Sequence, residues 1–243
     1  MLEFELVLPA YNEAKSLPDL YKKVAEAALS CGFTPDRCQV VLVDNGSTDD
    51  SAVVLKQLQS TALGAWFRVL TVALNQGYGF GVKAGLDATT APFIGWSHAD
   101  LQCDPVEAFR AAVLLRNLPA STPLVVKGKR FGRSLSSRII SSVFAFAAGV
   151  SLGLWCGEIN AQPKVFPRRL LGHLSGAPVD FSFDLFALYR AKAAGFSLRT
   201  IPVYFPNRRH GVSNWSASFK SRRRTIVGML RYCRHLALTE GRL

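Results

Sequence analysis

The chain has 243 residues, 49% of them apolar, and a formal net charge of +12. With no extended low-complexity tract, that length suits one large domain, or a domain with an appendage. The five cysteines (Cys31, Cys38, Cys103, Cys156, Cys233) are odd in number and lack C-x-x-C spacing. Neither a zinc site nor a disulfide framework is therefore suggested, and a reducing cytosol is expected.

The start, Met1-Leu2-Glu3-Phe4-Glu5, is acidic where an export signal is basic and then continuously apolar, so none is expected. Residues 1–121 hold 9 Lys and Arg against 13 Asp and Glu, a net of −4, whereas residues 122–243 hold 20 against 4, a net of +16. A basic half attracts nucleic acid, an anionic bilayer or a phosphorylated substrate, and charge alone does not choose among them.

Residues 4–8 read as a buried first strand stopped by Pro9, and Ser16-Leu17-Pro18-Asp19 opens a helix with Leu20, Val24, Ala27 and Ala28 on one face. A second apolar run, 39–43, ends in Asp44-Asn45-Gly46-Ser47-Thr48-Asp49-Asp50, a turn and helix start. Residues 67–73, 93–97 and 124–127 follow as strands, with helices over 80–88 and 106–116 between them. This β-α-β alternation predicts an α/β fold with a mostly parallel central sheet, helices on both faces and right-handed crossovers.

Residues 139–157 carry no charge, a length at the threshold of a membrane span. Serines and glycines interrupt the run, which favours a core helix or one lying on a bilayer surface. A strand at 164–166, a helix over 181–194 stopped by Gly195, and a strand over 198–204 resume the α/β pattern. A polar loop at 207–215 leads to a basic amphipathic helix, so the expected division is a domain over 1–215 and a terminal helix over 216–243.

The stretch Ser97-His98-Ala99-Asp100-Leu101-Gln102 leaves the fourth strand, at the sheet edge where open α/β folds bind ligands. His98, Asp100 and Gln102 stand at alternate positions, so an extended backbone turns all three to one side. Imidazole, carboxylate and amide oxygen suit a divalent ion completed by water and phosphate oxygens. Asp104 before Pro105 reads instead as a helix cap. Glycines 77, 79, 81 and 85 allow close backbone approach, and Lys83 is placed to reach phosphates as a point charge. Asp44 and Asp49 can bind ligand or cap turns, and both readings stay open.

Five segments together carry a resemblance: Leu8-Pro9-Ala10-Tyr11-Asn12-Glu13, Val43-Asp44-Asn45-Gly46-Ser47-Thr48-Asp49, Asn75-Gln76-Gly77-Tyr78-Gly79, Ala99-Asp100-Leu101-Gln102, and Arg208-x-x-Gly211-x-Ser213. Over about residues 4–215 the chain resembles family 2 glycosyltransferases of the GT-A fold. Among them it looks like the polyprenyl-phosphate glycosyltransferases typified by dolichyl-phosphate mannose synthase. The resemblance implies an inverting, metal-dependent transfer from a nucleoside-diphosphate sugar to a polyprenyl phosphate. It places the donor against Pro9, Tyr11, Glu13, Asp44 and Asp100, with Lys83 as a further candidate. It implies Mn²⁺ or Mg²⁺ at His98, Asp100 and Gln102, where His98 replaces the family's first Asp. A His ligand favours manganese, and metal affinity is expected to fall near pH 6.5 as it protonates. His98 as a nucleotide contact or a packed side chain is the alternative.

The resemblance assigns the acceptor phosphate to Arg130, Arg138, Ser142, Arg208 and Ser213, and it implies Asp100, Arg130 and Arg208 as the groups at the reaction. Asn214 stands where the family has Lys. A phosphate monoester is largely a dianion at neutral pH, its second pKa being about 6, so it attacks without a protein base. A rival reading gives the sugar to a saccharide or protein hydroxyl, with Asp184 as base. Another is a silent nucleotide-sugar or nucleic-acid binding module; nucleic acid is disfavoured because no aromatic stacking platform accompanies the charge. The terminal helix places six basic residues near an anionic leaflet at about 1 kcal/mol each. Peripheral attachment to the cytoplasmic membrane face is expected, which leaves room for a membrane-protein partner.

Overall fold

The computed structural model describes residues 1–119, 121–206 and 219–243. Among them, seven strands form one sheet: β1 (Phe4–Ala10), β2 (Cys38–Asn45), β3 (Phe67–Val72), β4 (Phe93–Trp96), β5 (Leu124–Phe131), β6 (Lys164–Pro167) and β7 (Ser197–Tyr204). Their spatial order is β3-β2-β1-β4-β6-β5-β7. The helices are α1 (Leu17–Ser30), α2 (Ser51–Gln59), α3 (Tyr78–Asp87), α4 (Val106–Arg116), α5 (Leu135–Leu152), α6 (Phe183–Ala193) and α7 (Phe219–Thr239).

Alternation along the strands sorts the helices into two layers. Phe4, Leu6 and Leu8 of β1 with Val40 and Leu42 of β2 bury against Tyr21 of α1 and Phe109 of α4. The intervening Val7, Val41 and Val43 bury on the opposite face, in a core shared with α3, α5, α6 and α7. Gly85 permits this second layer, because a Cβ there would overlap Cγ1 of Val7. Glu5 also points to that face and is buried. Its carboxylate takes Arg68 at 3.0 Å and the N–H groups of Thr90 and Ala91 at 2.5 and 2.7 Å, which fastens the start of β4 to β1.

The parallel pairs β1/β2, β2/β3, β1/β4 and β5/β7 follow the expected alternation. β6 departs from it, running antiparallel between β4 and β5. Two successive antiparallel pairings restore β5 and β7 to the direction of β4. The carboxyl ends of β1, β2, β4, β5 and β7 therefore open on one edge. Chain order reverses between β1 and β4, which is where such sheets leave a crevice.

Residues 139–152 of the uncharged 139–157 run form the body of α5, which starts earlier, at Leu135, and leaves 153–157 beyond its end. Ser134 caps it by accepting the N–H of Ser137 at 3.4 Å, and Gly153 ends it at φ 74°. Phe144, Ala148, Gly149 and Leu152 bury while Leu135, Ile139, Val143, Phe146 and Val150 lie exposed at helical spacing. Among the described residues α5 is the one helix long and apolar enough to cross a membrane, with a mean hydropathy of 1.5 and 22% of its residues buried. The terminal segment set apart as 216–243 joins the main core through Cys233 and Leu236 of α7. Tyr189 Oη donates to the carbonyls of Glu240 and Gly241 at 3.2 and 3.1 Å, and Arg190 pairs with Glu240 at 2.6 Å.

Candidate active site at the carboxyl edge of the sheet

A cleft of about 1280 Å³ runs along this edge. Its first end is built by the loops after β1 and β2, which are laced together. Asn12, at φ 57°, receives the N–H of Thr48 on its Oδ1 at 2.8 Å, and its own N–H donates to Ser47 Oγ at 3.0 Å. Asn tolerates this left-handed backbone better than most residues. Asp49 accepts from Ala14 N at 3.2 Å and from Ser51 N and Oγ at 3.0 and 2.5 Å. Burial opposes ionisation of Asp49, yet these bonds outweigh it and hold the carboxyl below its ordinary value. Asp49 thus ties the two loops together and orders the first turn of α2.

Pro9, Tyr11 and Glu13 line this end of the cleft, as do Asn45, Asp49 and Asp50. Asp44 and Lys83 are not among its lining. The Asp44 carboxylate turns back to accept Ser47 N at 3.0 Å, a turn-closing role, and Lys83 pairs with Asp87 of its own helix at 2.6 Å.

His98, Asp100 and Gln102 all face the cleft, although by a different backbone path from the extended one that alternation suggests. β4 stops at Trp96, and Leu101 turns through φ 57°. Asp100 Oδ1 closes the turn by accepting Gln102 N at 3.0 Å, and Gln102 Nε2 donates to Pro206 O at 3.1 Å. A bulky residue in the left-handed region is a strained feature of the kind concentrated at functional sites.

Burial of His98, outweighing the pull of Asp100 and Asp184, lowers its pKa below the ordinary imidazole value. The ring is neutral at neutral pH. Among the described residues no group of three or more His, Cys, Asp or Glu gathers as a complete metal cage. One imidazole, one carboxylate and one amide nevertheless fit a divalent ion that keeps positions for water and diphosphate oxygens.

Beyond the His98–Gln102 turn the cleft meets two guanidiniums, Arg130 at the end of β5 and Arg133 three residues on. Both stand over the Phe205 ring, at 5.2 and 5.9 Å, and both pair with Glu158, at 3.5 and 2.6 Å. Arg133 and Glu158 were not among the sequence candidates. Arg138 and Ser142 were, and they lie on the exposed side of α5 outside the cleft lining, where Ser137 and Ser141 appear instead. A shift of one helical residue rotates a side chain by about 100°, since a turn takes 3.6 residues. Arg208 and Ser213 lie outside the described residues. The far end of the cleft is apolar, walled by Ile140, Val143 and Phe144 of α5 and by Ile226, Met229 and Leu230 of α7.

The floor is a buried polar network. Asp184 Oδ1 accepts from Lys164 Nζ at 2.6 Å, Gln162 Nε2 at 3.1 Å and Trp96 Nε1 at 3.2 Å, and the Lys164 and Asp184 side chains are 0% and 2% exposed. Gln162 Nε2 also donates to Tyr78 Oη at 2.9 Å, and the Tyr78 ring stacks on Phe181 at 5.3 Å. The carboxylate proposed as a base in the hydroxyl-acceptor reading is therefore engaged by an ammonium.

Sequence comparison decides the family: residues 5–145 match the family model of glycosyl transferase family 2. The chain belongs to that family. Among curated relatives of this family 2 member, an undecaprenyl-phosphate 4-deoxy-4-formamido-L-arabinose transferase of Sodalis glossinidius is 30% identical over 170 residues, covering 68% of this chain and 49% of the relative. An enzyme of the same name from Pseudomonas savastanoi is 37% identical over 111 residues, 45% of this chain and 31% of the relative. A dodecaprenyl-phosphate galacturonate synthase of Rhizobium johnstonii is 35% identical over 104 residues, 43% of this chain and 30% of the relative. The chain thus spans at most about half the length of these relatives.

Solved structures show the shared α/β fold. Mannosyl-3-phosphoglycerate synthase from Rubrobacter xylanophilus aligns with a TM-score of 0.71 at 17% identity, covering 100% of this chain and 76% of that one. A mannosyltransferase from Pyrobaculum calidifontis, in complex with GDP-Man and Mn²⁺, aligns with a TM-score of 0.61 at 17% identity, covering 98% and 70%.

Proposed function

We propose that this family 2 protein transfers a sugar from a nucleoside diphosphate to a polyprenyl phosphate at the cytoplasmic face of a membrane. One observation carries the reading: a single cleft joins the laced loops after β1 and β2, the His98–Gln102 turn, two guanidiniums and an apolar trough between α5 and α7. That sequence of surfaces matches a donor nucleotide, its diphosphate, an anionic acceptor group and a lipid tail. The relatives named for undecaprenyl and dodecaprenyl phosphate acceptors support it.

In this mechanism Pro9, Tyr11 and Glu13 hold the nucleoside end. When bound, a divalent cation at His98, Asp100 and Gln102 supplies positive charge to the diphosphate, favouring its departure. Arg130 and Arg208 present the acceptor phosphate as a dianion. Its oxygen forms the bond to the anomeric carbon as the carbon–oxygen bond to the diphosphate breaks, inverting that centre, and no proton has to be removed. The exposed apolar stripe of α5 beside the basic α7 supports a site that opens on lipid headgroups.

The test is transfer of radiolabelled sugar to added polyprenyl phosphate, with and without Mn²⁺ or Mg²⁺. Metal-dependent transfer that Asp100→Ala abolishes is expected, and transfer that survives this substitution unchanged refutes the metal role.

A further inference from the structure

Arg133 lines the cleft although no sequence motif selected it, and its surroundings are those of a prepared anion seat. Its side chain is 8% exposed, that of Arg130 11% and that of Glu158 15%. Glu158 accepts Arg133 Nη1 at 2.6 Å through Oε1 and the backbone N–H of Arg130 at 2.7 Å through Oε2. Arg133 Nη1 also donates to Ser141 Oγ at 2.9 Å, which ties it to the α5 wall. Arg130 and Arg133 line the cleft, whereas Glu158 does not, so the carboxylate backs the pair from behind.

Two guanidiniums against one carboxylate leave a net charge of +1. The Nε of Arg130 is buried without a hydrogen-bond partner, and both bonds that Arg133 makes to described residues leave from Nη1. An orphaned buried donor costs free energy, and the nitrogens of Arg133 other than Nη1 bond no described residue. The ligand that completes this arrangement is an anion with several acceptor oxygens, and planar guanidinium forks suit phosphate in particular.

We propose that Arg133, held in place by Glu158, is a further binding residue for the acceptor's phosphate, with Arg130 beside it and Glu158 as the positioning residue. The proposal rests on the polyprenyl-phosphate reading of the cleft. Glu158 suits its part because it stays ionised: burial opposes this, but Arg130 and Arg133 outweigh it and hold the carboxyl below its ordinary range. Glu158 also fixes both the main chain and the side chain of Arg130, so the two forks arrive already aimed.

The experiment uses the full chain, a short prenyl phosphate as acceptor and the prenyl alcohol of the same length as control. Acceptor and donor KM values and direct calorimetric binding are measured for wild type, Arg133→Ala, Arg133→Lys and Glu158→Gln. Losing a charge-assisted bond to phosphate predicts an acceptor KM raised about tenfold to a hundredfold in Arg133→Ala, with the donor KM unchanged. Arg133→Lys should recover only part of this, since it keeps the charge and loses the fork. Glu158→Gln should raise the acceptor KM and leave the donor KM alone, a split that a general loss of folding would not produce. Inorganic phosphate should compete with the prenyl phosphate in wild type and less well in Arg133→Ala, whereas binding of the alcohol should not depend on residue 133.

A folded Arg133→Ala with the wild-type acceptor KM overturns the proposal. If that variant does not fold, a wild-type acceptor KM in Arg133→Lys does so. Equal weakening of alcohol and phosphate overturns it as well, by assigning the effect to the tail. If the wild-type protein binds no prenyl phosphate but glycosylates a hydroxyl acceptor, the functional reading itself fails, and this proposal with it.

Discussion

Lys127 sits in β5 beside the Gly128–Arg130 segment of the site, 0% exposed, and its ammonium donates to the carbonyl of Gly128 at 3.2 Å. Among the described residues no carboxylate pairs with it within salt-bridge distance. Burial, with the like charges of Lys164 and Arg130 adding to it, pushes its pKa from 10.5 down to about 8. The folded chain therefore loses this proton at a lower pH than the unfolded chain. Below pH 8 the charged side chain costs the fold the full difference, and the cost is relieved as pH rises from about 8 towards 10.5, where the unfolded state holds more protons. That interval corresponds to about 3 kcal/mol.

Lys127→Met keeps the length of the side chain and removes its charge. At pH 7 the variant should be more stable than wild type by about 3 kcal/mol, which for a chain of this size is a rise in Tm of about 6–12 °C. The advantage should fall by about 1.4 kcal/mol per pH unit above pH 8. Urea unfolding of both proteins at pH 7, 8, 9 and 10 reads this directly, because every other titrating group is common to the two. A variant no more stable at pH 7, or a difference that stays flat to pH 10, refutes the reasoning.

Asp184→Asn should strand the Lys164 ammonium in the interior and cost about 3–5 kcal/mol, seen as a lowered urea midpoint. Residual transfer by the protein that remains folded should persist, and its complete loss would favour a base at this position. Gly85→Ala should destabilise by about 1–3 kcal/mol because its methyl meets Val7 on β1; an unchanged Tm would show that α3 does not sit this close to the sheet. Asp49→Ala should weaken donor binding more than it lowers stability, since it unties the loops after β1 and β2. Calorimetry with a nucleoside-diphosphate sugar checks this, and unchanged affinity would remove Asp49 from the donor end.

Much of the scaffold was legible because its signals are local. Apolar runs bounded by Gly195 and the Asp-rich turns mark strands and helices wherever they occur, and the assigned elements fall within a few residues of those expectations, although β1 runs through Pro9, expected to stop it, and ends at Ala10. The loops after β1 and β2 and the His98–Gln102 turn were legible as cleft-lining segments because they directly follow strands of an α/β pattern, whose carboxyl ends meet at one edge. The rotation of α5 was not legible. An uncharged stretch reports its length and not its azimuth, so the sequence alone does not show that Ser137 and Ser141, rather than Arg138 and Ser142, line the cleft.

By itself the sequence determined the layers, the edge at which ligands meet the sheet and the family, because periodicity and contiguous motifs are encoded within a few residues. Only the tertiary structure decided which charges meet. Glu158 reaches Arg130 and Arg133 across 28 and 25 residues, and Lys164 reaches Asp184 across 20. These pairs depend on β6 entering the sheet antiparallel, a choice made by the packing of distant faces that no local pattern records.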